Sequence, residues 1–303
     1  MSTKDRMQKL LRRLKSGEIL IADGAMGTML MERGLNPGEP PESFNLTHPE
    51  VLEEIARLYL EAGADIIQTN TFGASPVKLS LYSMEGKIEQ INRVAIRAVK
   101  KVIGEQAYVS ASCGPCGRLL KPYGDVEQED VYNSFVEQIR IINDEGVDII
   151  CIETMTDLTE AIIALKAAKT AAPSIPVIVT MTFDPTPKGF YTIMGTDIAT
   201  AAIKLEQAGA DIIGSNCGNG IENMIMIAEE FKQKSRLPII IQSNAGMPEM
   251  KGTRAIYPET PRFMAERAKR LVSLGVSIIG GCCGTTPEHI WAIKRAVEVM
   301  RCK

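Results

Sequence analysis

Four short stretches decide how this chain folds: Gly63-Ala64-Asp65-Ile66-Ile67, Gly146-Val147-Asp148-Ile149-Ile150, Gly209-Ala210-Asp211-Ile212-Ile213 and Gly275-Val276-Ser277-Ile278-Ile279. Each follows a stretch of helical period, such as residues 53–62 or 261–274. Each glycine fits the position just past a helix C-terminus, where the chain needs a positive φ. The β-branched run after it reads as a buried strand. The unit is therefore helix, glycine turn, parallel strand, four times over.

Other strand candidates fall between these four, at residues 18–23, 108–112, 177–182 and 239–243, the last two introduced by Pro176 and Pro238. Helical patterns occupy residues 87–103, 131–144, 158–171, 198–207, 221–234 and 289–300. A doubly wound open sheet would also alternate strands and helices. Eight units in this length, with a repeat confined to the even strands, favour a closed (β/α)8 TIM barrel. No linker or low-complexity stretch divides the chain. Residues 1–303 are expected to form one domain, with residues 1–17 as an N-terminal helix ahead of strand one.

The 303 residues include 34 Lys and Arg against 37 Asp and Glu, a formal charge of -3. Hydrophobic residues are 45% and charged residues 23%, which excludes a disordered, collagenous or coiled-coil chain. The slightly acidic balance speaks against a nucleic-acid binder and a polybasic membrane reader. No run approaches the roughly 18 apolar residues a spanning helix requires, and the charged N-terminal stretch does not read as a signal peptide. Seven cysteines, an odd number with two adjacent, do not make a secreted disulfide framework. The expectation is a cytoplasmic protein with reduced thiols and with neither nucleic acid nor membrane as partner.

The repeat also aligns the strand ends. Asn70, Glu153, Asn216 and Cys282 each lie seven residues after their glycine, at the C-terminal ends of strands two, four, six and eight. Asp23, Cys113, Phe183 and Asn244 end the odd strands. Active sites of this fold are built at that face. Cys217 follows strand six, and Cys282-Cys283 follow strand eight within Gly280-Gly281-Cys282-Cys283-Gly284-Thr285-Thr286. Neighbouring residues on a strand point to opposite sides. Both thiols of the pair can face one point only if the chain turns, which the flanking glycines permit. Three thiols converging there suit Zn²⁺, with a fourth position left open as in catalytic sites. The plainer alternative is three small buried hydrophobes in a glycine-rich turn.

Cys113-Gly114-Pro115-Cys116 has the spacing of a redox pair or half a zinc site. It closes a strand where a redox pair opens a helix, and no second pair accompanies it. It is expected to be structural, as is Cys151 within strand four; Cys302 is expected to fall at a frayed C-terminus. In Asp23-Gly24-Ala25-Met26-Gly27-Thr28, small residues with open N–H groups can cradle a carboxylate. Asp23 reads either as a ligand for an ammonium group or as a helix N-cap. Glu153 is a carboxylate at a buried strand end, which is costly without a cation or donors. It can join Asp23 around an amine, or pair with an arginine of the rim. His48 and His289 are the only histidines and neither ends a strand, which argues against a His-based zinc or hydrolase site. Residues 36–47, 114–130 and 184–196 are loops long enough to act as lids.

Several of these motifs together resemble the homocysteine S-methyltransferase family. They are Asp23-Gly24-Ala25-Met26-Gly27-Thr28, Gln68-Thr69-Asn70-Thr71-Phe72, Ile152-Glu153-Thr154, Asn216-Cys217 and the run from Gly280 through Cys282-Cys283 to Pro287-Glu288-His289. The double cysteine with the upstream Asn-Cys is the most specific part, and the resemblance spans essentially the whole chain. It implies a zinc (β/α)8 barrel that methylates the sulfur of homocysteine to give methionine. Asn70-Thr71-Phe72-Gly73-Ala74, Ser43-Phe44-Asn45-Leu46, and Met181-Thr182-Phe183 with Gly195-Thr196-Asp197 are similar to the homocysteine-binding module of cobalamin-dependent methionine synthase.

Carried over position by position, the resemblance implies Cys217, Cys282 and Cys283 as zinc ligands, with Asn244 in the fourth position when substrate is absent. It implies Asp23 and Glu153 at the amino group of homocysteine, and the Gly24 and Ala25 amides at its carboxylate. The expected methyl donor is methyl-cobalamin or another methyl-corrinoid, carried by a separate domain or protein. A betaine- or S-methylmethionine-type enzyme is the alternative within the family. Two readings from other classes stay open: a non-catalytic zinc-binding barrel, and a thiol-redox protein, for which an adjacent-cysteine disulfide would need a strained ring.

Overall fold

The structure, a computed structural model, describes residues 3–252 and 254–301; Cys302 lies outside them. Eight parallel strands form one sheet. They are strand one (Leu20–Ile21), two (Ile66–Gln68), three (Tyr108–Cys113), four (Ile149–Met155), five (Val177–Met181), six (Ile212–Asn216), seven (Ile239–Ser243) and eight (Ile278–Gly281). Each pairs with its neighbour in sequence from two to eight, and strand eight pairs with strand one. A parallel bridge between Ala22 and Ile66 joins strand one to strand two and closes the ring. The fold is the single-domain (β/α)8 barrel expected from the repeat. Strand one is shorter than the expected 18–23. Glu18 turns to Arg13 in a 2.8 Å ion pair, and at the other end the Asp23 side chain takes the Gln68 N–H at 2.7 Å while its backbone still bonds Ile66 and Gly281.

The repeated segment has a mechanical job at its lower end. Gly63, Gly146, Gly209 and Gly275 take φ values of 91°, 70°, 93° and 73°, so each turns its helix into the next strand as a side chain could not without strain. The aspartate two residues later then grips the preceding odd strand. Asp65 accepts the Ile21 N–H at 3.0 Å, Asp148 the Val109 N–H at 2.9 Å and Asp211 the Val177 N–H at 2.8 Å. Each carboxylate also meets a cation: Arg13 and Lys294 at Asp65, Arg6 at Asp148, Lys169 at Asp211. The same segment thus secures the lower rim with its Asp and delivers a residue to the upper rim at its far end.

Arg6 and Asp148 form the most enclosed of these pairs, with two bonds of 2.8 and 2.7 Å and side chains only 10% and 3% exposed. Removing one partner leaves the other charge buried, which costs about 3–5 kcal/mol. Arg6→Ala is therefore expected to lower the unfolding free energy from urea titration sharply, whereas Arg33→Ala, at a pair with the half-exposed Glu54, should lower it by less than about 1 kcal/mol. Equal shifts in a denaturation series would contradict this account.

Side chains alternate along the strands. Ile66, Tyr108, Ile149, Ile178, Ile212, Ile240 and Ile278 meet inside the barrel, together with Leu20, Ala22 and Cys151. Leu10 and Leu14 of the helix Thr3–Lys15 close that core from below. The opposite faces of the strands pack on the outer helices in a second, larger core. Counting upward by two from the inner residues brings Gln68, Ser112, Glu153, Gln242 and Cys282 to the inside of the mouth, where all five line one cavity of about 240 Å³. Two antiparallel hairpins rise from the same rim, Asp184–Thr186 with Gly189–Tyr191 and Glu249–Lys251 with Arg254–Ile256. The first lies in an expected lid; the second was not expected. Among the described residues, no helix is long and apolar enough to cross a membrane.

Candidate active site

The chain turns sharply at both thiol-bearing strand ends. Cys217 sits at φ +59°, a left-handed conformation that is uncommon outside glycine, and Gly218 follows at +71°. The Cys217 N–H is held by the Gln242 carbonyl at 3.1 Å. After strand eight, the Cys282 N–H bonds the Ser243 carbonyl at 2.8 Å, the Cys283 carbonyl accepts the Ala245 N–H at 3.0 Å, and Gly284 turns at φ +78°. The Thr285 N–H and hydroxyl both return to the Cys282 carbonyl, at 3.1 and 2.7 Å. This tight turn defeats the strand alternation and lets adjacent cysteines face one point.

The three sulfurs all lie within 4.8 Å of one another, and Cys217 and Cys283 are 3.9 Å apart. Two sulfurs on a tetrahedral ion with bonds of about 2.3 Å would stand about 3.8 Å apart. Among the described residues this is the one cluster of three His, Cys, Asp or Glu side chains placed to hold a metal ion. Its electrostatics fit as well. Hydrogen bonds from Cys282 and Cys283 pull the Cys217 thiol well below its ordinary range, and bonding to Cys217 pushes the other two up. The trio alone therefore favours one shared negative charge; three thiolates this close need a cation. Asn244 lies within hydrogen-bond reach of Cys217, and its buried Oδ1 has no partner. The thiols and this oxygen together suit a soft divalent ion.

Glu153 faces the mouth by strand alternation, and strand four bulges between Ile152 and Met155. Ile152 pairs with Val179 and Met155 with Met181, so strand four spends one extra residue there, and Thr154 takes φ +60°. Asn216 secures the bulge. Its Oδ1 accepts the Thr154 N–H and the Thr180 hydroxyl, both at 2.8 Å, and its Nδ2 donates to Thr154 Oγ1 at 2.8 Å and Glu153 Oε2 at 3.1 Å. Glu153 Oε1 accepts from Gln68 Nε2 at 3.2 Å and from the Ser112 hydroxyl. No ion pair satisfies Glu153 among the described residues, so the rim-arginine alternative does not hold. Burial pushes its carboxyl up to about 7.

Asp23 is 1% exposed and accepts the Gln68 N–H, while its Oδ1 has no partner. Burial, aided by the charge of Glu153, pushes Asp23 up to about 8. It is not a helix cap: the short helix Gly27–Met31 begins at Met26 with no side-chain cap. Gly24, Ala25, Met26 and Gly27 line the cavity. The Ala25 N–H, expected to face a substrate carboxylate, donates instead to Thr285 Oγ1 at 3.1 Å, because the strand-eight turn packs directly on this loop.

Other expectations divide. Asn70 ends its segment seven residues after Gly63 and lines the cavity, but its amide is taken up by the Pro41 carbonyl and Asn45, at 2.8 and 2.7 Å. Gln68 takes its place beside Glu153, as counting by two from Ile66 would have found. Cys113, Cys116 and Cys151 are buried and free, and Cys116 packs near Glu160, which holds its N–H at 2.6 Å. Phe183 goes into the core against Phe231. His289 is buried away from the thiols, bonded to the Glu259 carbonyl at 2.9 Å. Tyr257, beside the unexpected hairpin, lies over Gly284 and within reach of Cys283, and no local sequence pattern signals it.

Comparison with known proteins agrees with this geometry. The sequence profile described as homocysteine S-methyltransferase matches residues 20–297. Methionine synthase of Mycobacterium leprae (strain TN) is 35% identical over 303 residues, covering 94% of this chain and 24% of that protein. Its counterpart from Mycobacterium tuberculosis (strain ATCC 25618 / H37Rv) is 34% identical over 301 residues, covering 93% of this chain and 25% of that protein. The chain thus spans about a quarter of the length of these two relatives. The metallated form of the homocysteine methyltransferase MmuM from Escherichia coli shares the fold, with a TM-score of 0.76 and 22% identity, covering 91% of this chain and 96% of that one. With the profile matched from strand one to the last helix, and with the thiol trio assembled at the barrel mouth, the chain belongs to the homocysteine S-methyltransferase family.

Proposed function

We propose that this barrel binds homocysteine and receives a methyl group on its sulfur, giving methionine, with a zinc ion held by Cys217, Cys282 and Cys283. The observation that carries the reading is the pairing of a three-thiol cluster with two cation-free buried carboxyls beside one small cavity. When bound, zinc supplies the charge that keeps a substrate thiol deprotonated at neutral pH. The chain's own residues do the rest. Glu153 and Asp23 take the substrate ammonium, which ionises them and relieves their unpaired burial. Gly24 fronts the substrate carboxylate, with the Ala25 N–H already engaged. Asn244 Oδ1, unpartnered beside Cys217, would be the further protein donor available to the ion.

The reaction is an in-line displacement: the sulfur lone pair forms the new S–C bond as the bond between methyl and donor breaks, and its electron pair leaves with the donor. The barrel contributes position, since a held nucleophile needs only the correct approach of the methyl group. The methionine synthase relatives support methionine as the product, and the donor in this reading is a methyl-corrinoid on another domain or protein. A betaine- or S-methylmethionine-type donor would be revealed by turnover with that compound and no corrinoid.

Zinc content with metal-edge X-ray absorption, with and without homocysteine, tests the acceptor half. The expected result is one zinc per chain, changing from three sulfurs and one light atom to four sulfurs. A spectrum unchanged by homocysteine would favour a non-catalytic zinc barrel, and freshly reduced protein without zinc would favour thiol-redox chemistry.

A further inference from the structure

Among the described residues, seven buried side-chain oxygens have no hydrogen-bond partner, and of the residues that carry them only Gln242 lines the mouth cavity. Gln242 is 2% exposed, so its Oε1 has given up water without replacing it. Most buried oxygens of this kind are bonded; one carried by a residue that lines a ligand cavity is a place for a ligand donor. Its position is set by the sheet. Strand seven lies between the two thiol-bearing strands, and Gln242 pairs with Asn216 on one side and Gly280 on the other. Its backbone carbonyl holds the Cys217 N–H, which fixes the residue against the thiol turn. On the strand-eight side, the paired residue has no side chain. A Cβ at Gly280 would come within 2.8 Å of the Ala22 Cβ and 2.9 Å of the Asp23 carbonyl, so strand one packs directly on this residue and only glycine fits there.

We propose that Gln242 is a third contact for the substrate's α-ammonium group, its Oε1 accepting one N–H beside Asp23 and Glu153. An ammonium offers three donors in a fan. Asp23 Oδ1, Glu153 and Gln242 Oε1 offer three acceptors from strands one, four and seven, and two of them, Asp23 Oδ1 and Gln242 Oε1, are unpartnered. The third contact makes the site selective for an amino acid thiol over a simple thiol acid. The inference rests on the homocysteine reading.

The test is calorimetric titration of zinc-loaded protein with homocysteine and with 4-mercaptobutyrate, which is homocysteine without its amino group. Gln242→Leu is expected to weaken homocysteine roughly 10- to 100-fold and 4-mercaptobutyrate by no more than about threefold. Equal weakening of both ligands at unchanged zinc content, or of neither, overturns the proposal. If the leucine variant does not fold, Gln242→Asn withdraws the amide by one methylene and must show the same selective loss; an unchanged preference there overturns it too. If the unaltered protein binds homocysteine no better than 4-mercaptobutyrate, the homocysteine reading itself has failed.

Discussion

Replacing Cys217 by alanine is expected to strip the protein of stoichiometric zinc and to abolish methyl transfer together. Structural zinc sites contribute about 10–16 kcal/mol over four ligands, so one thiolate carries on the order of 3 kcal/mol, more than a hundredfold in affinity. The loss should be larger than that sum, because the remaining thiols sit in a turn shaped for three. Cys282 and Cys283 are placed by bonds to strand seven and by the Thr285 hydroxyl, none of which involves the Cys217 sulfur. The fold should therefore survive. Cys151→Ala is the matched control: it removes a buried thiol from the barrel interior, away from the cluster, and should keep its zinc. Stoichiometric zinc in Cys217→Ala, measured by metal analysis on reduced protein, would refute the ligand assignment.

The second large effect is expected at Glu153. Gln, in its place, keeps the shape and can still bond Gln68, Ser112 or Asn216, but it cannot become an anion. Removing one partner of a buried, hydrogen-bonded charge pair costs about 2–4 kcal/mol, so homocysteine should bind roughly 30- to 1,000-fold more weakly. The pH dependence gives an independent reading. Burial holds Glu153 at about 7 and Asp23 at about 8 in the ligand-free site, so at pH 6 both carboxyls are largely protonated. An arriving ammonium needs them ionised. Binding must therefore release protons near neutral pH, and affinity must fall as the pH drops through about 7 and below. The two carboxyls interact, so the release belongs to the pair. Glu153→Gln should release one proton fewer, as seen by calorimetry in buffers of different ionisation enthalpy. An unchanged proton count with unchanged affinity would remove Glu153 from the amino-group site.

The same linkage bears on stability. A carboxyl raised from its ordinary value binds its proton more tightly in the folded chain than in the unfolded one. These two groups therefore favour the folded state most at acidic pH, and that contribution fades as pH rises through about 7 and 8. A bound ammonium reverses the trend by holding the ionised forms.

The sequence by itself determined the barrel. Glycine followed two residues later by Asp or Ser and then Ile-Ile, repeated on the even strands, encodes a helix stop and a buried strand in five residues, and both of those are local; the grip of the three aspartates on the preceding strand is not. It also placed Glu153, Cys217 and the Cys282-Cys283 pair at the correct rim, because a fixed count from a turn glycine marks the same height on each even strand. At Asn70 the count reached the cavity but overran the strand. Strand two ends at Gln68, and beyond a strand's last ladder bond the direction of a side chain is no longer set by alternation.

What only the tertiary structure decided are the properties that arise where distant segments meet. Two adjacent thiols face one point because their turn is bonded to strand seven and packed on the loop after strand one. The Ala25 N–H is lost to Thr285, a residue 260 positions away. Glu153 is held by Asn216 of another strand, which also locks the bulge beside it. Asp23 and Gln242 become unpaired acceptors only after burial has removed their water. Hydrogen-bond satisfaction and desolvation are sums over everything packed around an atom, so no window of sequence contains them.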